Sequence, residues 1–186
     1  LIMSLLKNLI LTFLIVISFT SCTKESLNES FSKTTISVVL NGNNSKYDEV
    51  WIEVTNVLVK VIDDESVPDC WLSLKTTDNP INHLIDISKT TNLNLVTGLN
   101  IPEGTIYEIK LVIGNNNTVV IEGKPINLTT NSVYQTGLVS RVNKFLDSNN
   151  HYQYNLEFDT SNSVLETQVE GYYILEPSIR TTLDIL

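Results

Sequence analysis

The sequence predicts an all-β protein, a two-layer antiparallel β-sandwich that occupies residues 34–186. Short runs of alternating apolar and polar residues recur along this part of the chain, and such alternation is typical of strands with one buried face. Turn signals rich in Asn, Gly and Pro separate the runs. Because no long stretch has the helical period, the pattern favours two packed sheets.

Eleven strand-like runs follow one another closely, and we expect eight or nine strands among them. In chain order they are residues 35–40, 47–62, 71–74, 83–87, 92–96, 107–113, 119–121, 126–128, 137–142, 152–158 and 171–175. The Gly-Asn-Asn-Asn segment that starts at Gly114 predicts a hairpin. Pro177 is expected at or near a sheet edge, because proline cannot donate a backbone hydrogen bond.

The run at 47–62 changes its parity halfway along. Val50, Ile52 and Val54 share one face, whereas the valines that follow Asn56 alternate with the opposite parity. A shift of one residue moves side chains to the other face of a sheet. The sequence therefore predicts either a β-bulge near Asn56 or a strand that crosses between the two sheets.

One short helical turn is predicted near residues 160–165. Asp159 precedes the polar segment Thr160-Ser161-Asn162-Ser163, and aspartate is a favoured residue at a helix N-cap.

The first 21 residues have the organisation of an export signal. Lys7 precedes an apolar core at 9–17, and small residues lead up to Cys22. The core is shorter than the roughly 20 apolar residues of a membrane-spanning helix, although an uncleaved anchor that extends back across Lys7 remains an alternative. Residues 1–21 are predicted to be a signal peptide, and residues 22–33 a flexible tether.

The end of the leader resembles the bacterial lipobox. In Phe19-Thr20-Ser21-Cys22 a small residue precedes the cysteine, while Phe19 stands where leucine is usual. The resemblance implies cleavage before Cys22, a diacylglyceryl thioether on its sulfur, and attachment to a membrane through that lipid. We expect a lipoprotein of the bacterial cell envelope, held at the outer membrane on its periplasmic or surface face.

The charge of the chain excludes one class of partner. The formal net charge is −9, and removal of residues 1–21 removes one cation, Lys7, and no acid, which leaves 11 basic and 21 acidic side chains and a charge of −10. Nucleic-acid binding depends on clustered Lys and Arg that neutralise phosphates. We therefore expect no nucleic-acid partner.

The sequence contains no evident catalytic or metal-binding set, so we predict neither an enzyme nor a cofactor. His83 and His151 lack neighbours at zinc-ligand spacing, and no nucleophile elbow or phosphate loop is present. The acids at 63–65 are interpreted as a solvated loop, because a calcium loop needs six to eight spaced ligands. Cys70 is predicted to be a small buried apolar residue.

Trp51 is the one candidate for ligand binding. It alternates with Val50 and Ile52, and one interpretation places it on the less buried face of its strand beside Glu53. An exposed indole ring can stack on a sugar ring. The interpretation that we favour from the sequence is that Trp51 faces the second layer or covers the edge of the sheet.

Several runs together resemble a bacterial family catalogued as a domain of unknown function, number 4382. They are residues 47–54, 71–74, 101–111, 111–120, 135–138 and 156–159, and the resemblance extends from about Ser37 to Arg180. It implies an exported lipoprotein with a prealbumin-like or carbohydrate-binding-like sandwich and no established activity. The chain departs from the family pattern between Arg141 and His151, and after Arg180.

We conclude from the sequence that the protein is a lipid-anchored, non-catalytic binding or interaction module for a glycan or an envelope partner protein. The alternative is a structural subunit of the adhesin or pilus kind, in which a strand would be exchanged between subunits. An enzyme is a third interpretation, which the absence of a recognisable catalytic set disfavours.

Overall fold

A computed structural model describes residues 32–43, 45–77, 81, 83–89, 91–131, 134 and 136–186. These residues form thirteen strands and one helical turn. In chain order they are β1 (Lys33–Gly42), β2 (Glu49–Lys60), β3 (Trp71–Ser73), β4 (His83–Asp86), β5 (Thr91–Pro102), β6 (Gly104–Ile113), β7 (Thr118–Ile121), β8 (Lys124–Thr130), β9 (Leu138–Leu146), β10 (His151–Phe158), α1 (Thr160–Ser163), β11 (Val164–Glu166), β12 (Tyr173–Leu175) and β13 (Ile179–Ile185).

The strands form two sheets. The first has four strands in the order β13-β10-β1-β5, and the second has nine, with the path β11-β12-β8-β7-β2-β6-β9 and with β3 and β4 also paired to β2. Most neighbours are antiparallel, but β1 with β10 and β8 with β12 are parallel pairs. Both sheets are therefore mixed.

One hydrophobic core joins the two sheets. The four-stranded sheet contributes Ile36, Leu156 and other inward side chains, while Val59 and Ile109 belong to the nine-stranded sheet. The core-forming cluster extends from Ile36 to Leu175. The predicted two-layer all-β architecture is thus confirmed, and residues 32–186 contain the sheets and the core of the domain.

β2 keeps its valines inside by means of a bulge. Its register against β6 shifts between Val54 and Asn56, and the valines on both sides of the shift are fully buried. The side-chain oxygen of Asn56 accepts hydrogen bonds from the backbone N–H of Val57 at 2.8 Å and from the Ser73 hydroxyl at 2.9 Å. The predicted bulge is confirmed, and β2 remains within one sheet.

The helical turn is confirmed in a shorter form. α1 ends at Ser163, because the chain continues as a strand from Val164. Asp159 is its N-cap, and its carboxylate accepts a hydrogen bond from the backbone N–H of Asn162 at 3.2 Å.

The count of eight or nine strands is too low. Two strands were not predicted: β11, which begins where the predicted helical turn was expected to continue, and β13, which forms after Pro177 and pairs with β10 from Ile179 to Ile185. β9 is also longer than predicted and continues through Arg141 to Leu146. β13 and the end of β9 carry many polar residues, so their local pattern is weak. Their pairing with distant strands makes them part of the sheets.

Candidate functional site

Trp51 lies on the outer face of the nine-stranded sheet. Its neighbours Val50 and Ile52 are fully buried on the core side, whereas Trp51 is only half-buried. The alternation of β2 therefore places the indole on the less buried face, which is the less favoured of the two interpretations drawn from the sequence. The indole N–H donates a hydrogen bond of 2.8 Å to the carboxylate of Glu49, two residues earlier on the same face.

The indole forms one side of a shallow depression, which we call the Trp51 shelf. Four strands contribute to it: β2, the strands β7 and β4 that pair with Trp51 through Thr118 and Asp86, and β8 through Pro125. The depression has a volume of about 560 Å³. Its lining includes Glu49, Trp51, Leu84, Thr118, Val120 and Pro125.

An unusually exposed side chain borders the shelf. Leu84, which faces Glu53 across the β2–β4 pair, is 57% exposed. With Val120 and Pro125 it makes the surface around the indole apolar, and Glu49 is the one acid in the lining. An aromatic ring, an apolar border and a single hydrogen-bonding acid are suited to a neutral ligand that has both apolar and hydroxyl groups.

The loop next to the shelf is held by hydrogen bonds to β2. The carboxylate of Glu53 accepts from the backbone N–H and the side-chain amide of Asn116, both at 3.0 Å. These bonds, the backbone one first, lower the pKa of Glu53 below its usual value. A Cβ atom at Gly114 would overlap the same carboxylate, so only glycine fits there without displacing Glu53.

The structure brings together a serine and a histidine that the sequence analysis did not connect. The Ser37 hydroxyl and His151 Nε2 lie 2.7 Å apart, and the backbone N–H of Gly98 donates to the same hydroxyl at 3.0 Å. Ser37 is 6% exposed. An approaching substrate would have little access to this oxygen, so the contact serves to join β1, β5 and β10 rather than to form a nucleophile.

The acids at 63–65 are engaged within their own loop. The Lys60 ammonium lies 3.4 Å from the carboxylate of Asp63 and 3.6 Å from that of Glu65, while Asp64 accepts hydrogen bonds from Ser66. No group of three His, Cys, Asp or Glu side chains that could hold a metal ion occurs among the residues described.

The structure tests the prediction for one of the two cysteines and not for the other. Cys70 is buried and unpaired, as expected for a small apolar residue. Cys22 and the leader lie outside the described residues, so lipidation stays a prediction. Within the part of the chain that the structure describes, no helix is long and apolar enough to cross a membrane.

Comparison with known proteins identifies a family but no activity. The family model described as "Domain of unknown function (DUF4382)" matches residues 33–177. This range includes every strand from β1 to β12 and ends before β13. Searches of curated proteins and of solved structures returned no significant match.

Proposed function

Because this chain belongs to the DUF4382 family, whose description names no activity, we propose its function from geometry: a lipid-anchored lipoprotein of the bacterial envelope that binds a glycan on the Trp51 shelf. The observation that carries this proposal is the outward indole with its apolar border. Cys22 supplies the anchor, and the sandwich acts as a binding module without a catalytic step.

A neutral sugar matches the chemistry of the shelf. The C–H face of a sugar ring can lie against the indole, Leu84 and Pro125, while its hydroxyl groups can donate to the Glu49 carboxylate. The net charge of −10 for residues 22–186 disfavours polyanionic ligands. Neutral polysaccharides are therefore the preferred class.

Glycan-array binding by the domain of residues 32–186 tests this proposal. We expect at least one neutral glycan to bind, and Trp51→Ala to weaken its binding about tenfold or more, in line with the large effect of removing an aromatic anchor. Trp51→Phe, which retains an aromatic face, should keep part of the affinity. Thermal unfolding of each variant controls for loss of the fold.

Two results would remove the proposal. One is an array on which no glycan binds, and the other is a bound glycan whose affinity Trp51→Ala leaves unchanged. The alternative of a structural subunit that exchanges a strand stays a prediction, which the oligomeric state of the same domain would decide.

A further inference from the structure

A second depression, which we call the Trp71 cleft, lies where the chain passes from one sheet to the other. β5 of the four-stranded sheet ends at Pro102, and β6 of the nine-stranded sheet begins at Gly104. The turn between them, Pro102-Glu103-Gly104-Thr105, lines one side of the cleft. Gly104 has φ 154°, which favours glycine at this junction.

The cleft has an apolar lining contributed by both sheets. Ile101 comes from β5, while Leu72 and Ile106 come from β3 and β6. Ile101 and Ile106 are core residues, and Val61 and Leu72 pack against the same core. With a volume of about 440 Å³, the cleft is in the size range of small-molecule sites, roughly 300–1,000 Å³.

A cation holds Trp71 at the side of the cleft. The Lys110 ammonium lies 3.8 Å from the centre of the indole ring, a cation–π contact. Trp71 also pairs across the sheet with Lys60, which is 5% exposed. The cation–π contact restricts the indole, and the backbone pairing of β3 with β2 fixes the position of Trp71 beside the cleft.

The charges that line the cleft itself are both negative. Asp69 and Glu103 are its ionisable lining residues, and Glu103 is exposed. Their carboxylates favour a ligand whose apolar body carries a positive group and disfavour one that carries a carboxylate. An alkyl chain with an ammonium head group, the chemistry of an aminolipid, fits both the lining and the charge.

The first residues that the structure describes lie beside the turn that lines the cleft. The backbone N–H of Glu103 donates to the Ser32 carbonyl at 2.9 Å, and Lys33 pairs with Pro102. Ser32 lies ten positions after Cys22, and an extended chain of that length spans at most about 36 Å. If Cys22 is acylated, as in the proposed function, its acyl chains are attached within that length of chain from Ser32.

From these observations we propose that the Trp71 cleft binds the alkyl chain of a membrane lipid whose head group carries an ammonium. The chain lies against Ile101, Ile106 and Leu72, and the ammonium lies beside Asp69 and Glu103. The site is separate from the Trp51 shelf, and only its access to the membrane depends on the Cys22 anchor.

Binding of two amphiphiles of equal chain length to residues 32–186 tests the site. Decyltrimethylammonium and decanoate are titrated below their critical micelle concentrations and followed by calorimetry. We expect one decyltrimethylammonium to bind per chain, with an affinity at least tenfold above that of decanoate. Thr105→Trp, which adds bulk to the lining, should reduce this binding at least tenfold.

Charge variants test the head-group preference. Asp69→Asn combined with Glu103→Gln should bring the two affinities within about threefold of each other. The control with the same change of net charge, Glu122→Gln combined with Glu170→Gln, removes two exposed acids outside the cleft and should leave the preference unchanged.

Several outcomes would overturn the inference. They are no binding of either amphiphile, equal or tighter binding of decanoate, or full binding by a Thr105→Trp variant that unfolds at the wild-type temperature. Trp51→Ala is expected to leave amphiphile binding intact. Failure of the glycan proposal and failure of this inference are thereby measured on different variants.

Discussion

Tyr152 and Tyr154 both extend from β10 into the core, but their hydroxyl groups have different surroundings. The Tyr152 hydroxyl accepts a hydrogen bond from the backbone N–H of Asp147 at 3.0 Å and donates to the Asp147 carboxylate at 3.3 Å. The Tyr154 hydroxyl is buried and has no hydrogen-bond partner within the described residues. A buried polar group without a partner lowers the free energy of unfolding.

Tyr154→Phe is therefore expected to stabilise the domain by about 1 kcal/mol, because it removes an unpaired buried hydroxyl. Burial also raises the pKa of Tyr154 above its usual value. A raised folded pKa means that stability is retained below the unfolded pKa and falls as the pH rises above about 10. The advantage of the phenylalanine variant should thus grow above that pH, as measured by urea unfolding.

Tyr152→Phe is the matched control, since it removes a hydroxyl that is hydrogen-bonded. It should lower the free energy of unfolding by about 1 kcal/mol. Equal effects of the two substitutions would contradict the assignment of an unpaired hydroxyl to Tyr154.

At the scale of elements, the loop that follows β6 is organised by one buried amide. The side chain of Asn117 accepts from the backbone N–H of Glu53 at 2.9 Å and donates to the carbonyl of Gly114 at 2.8 Å and to the hydroxyl of Thr130 at 3.0 Å. It thus joins β2, the loop and the end of β8. The three consecutive asparagines of this loop have unequal roles, because only Asn117 is buried.

Asn117→Ala is expected to lower the free energy of unfolding by about 2 kcal/mol, because three hydrogen bonds are lost at a buried position. Asn115→Ala, at an exposed position of the same loop, should change it by less than about 0.5 kcal/mol. Urea unfolding of both variants checks the difference. Similar losses would show that the loop depends on its composition rather than on this amide.

At the scale of the whole molecule, the proposed location in the cell envelope depends on lipidation of Cys22. A lipid on this residue would tether an acidic domain that has little electrostatic attraction to anionic membranes. Membrane attachment would then depend on the acyl chains, and two or more chains are needed for a firm anchor.

Labelled palmitate is expected to enter the full-length protein in bacterial cells, and Cys22→Ser is expected to abolish both the label and membrane fractionation. Cys70→Ser is the control, because Cys70 is buried in the folded domain and should not carry lipid. Labelling that survives Cys22→Ser, or none in the wild type, would contradict the lipoprotein assignment.

Features that depend on neighbours along the chain could be predicted well. The parity change in β2 predicted either a bulge near Asn56 or a strand that crosses between sheets, because side chains alternate with a period of two whatever the partner strand. The structure shows the bulge. The cap at Asp159 followed from a preference that acts within one helical turn. The same alternation allowed an outward position for Trp51, but the sequence did not decide between that position and one that faces the second layer or covers the edge.

Features that depend on distant segments could not be predicted in this way. Ser37 and His151 are 114 positions apart, and the parallel pairing of β1 with β10 brings them together. The Trp71 cleft likewise needs β3, β5 and β6 in their observed places, so Trp71 carried no signal of its own in the sequence. β13 was missed because its pattern is weak without β10 beside it.

The sequence by itself determined the all-β class, the inward faces of the strands and the capped turn, because alternation and capping are short-range properties of the chain. Tertiary structure alone decided the order of the strands, the mixed sheets and the two surface depressions. Pairing between strands joins residues far apart in sequence, and local patterns state which face is buried but not which strand lies alongside.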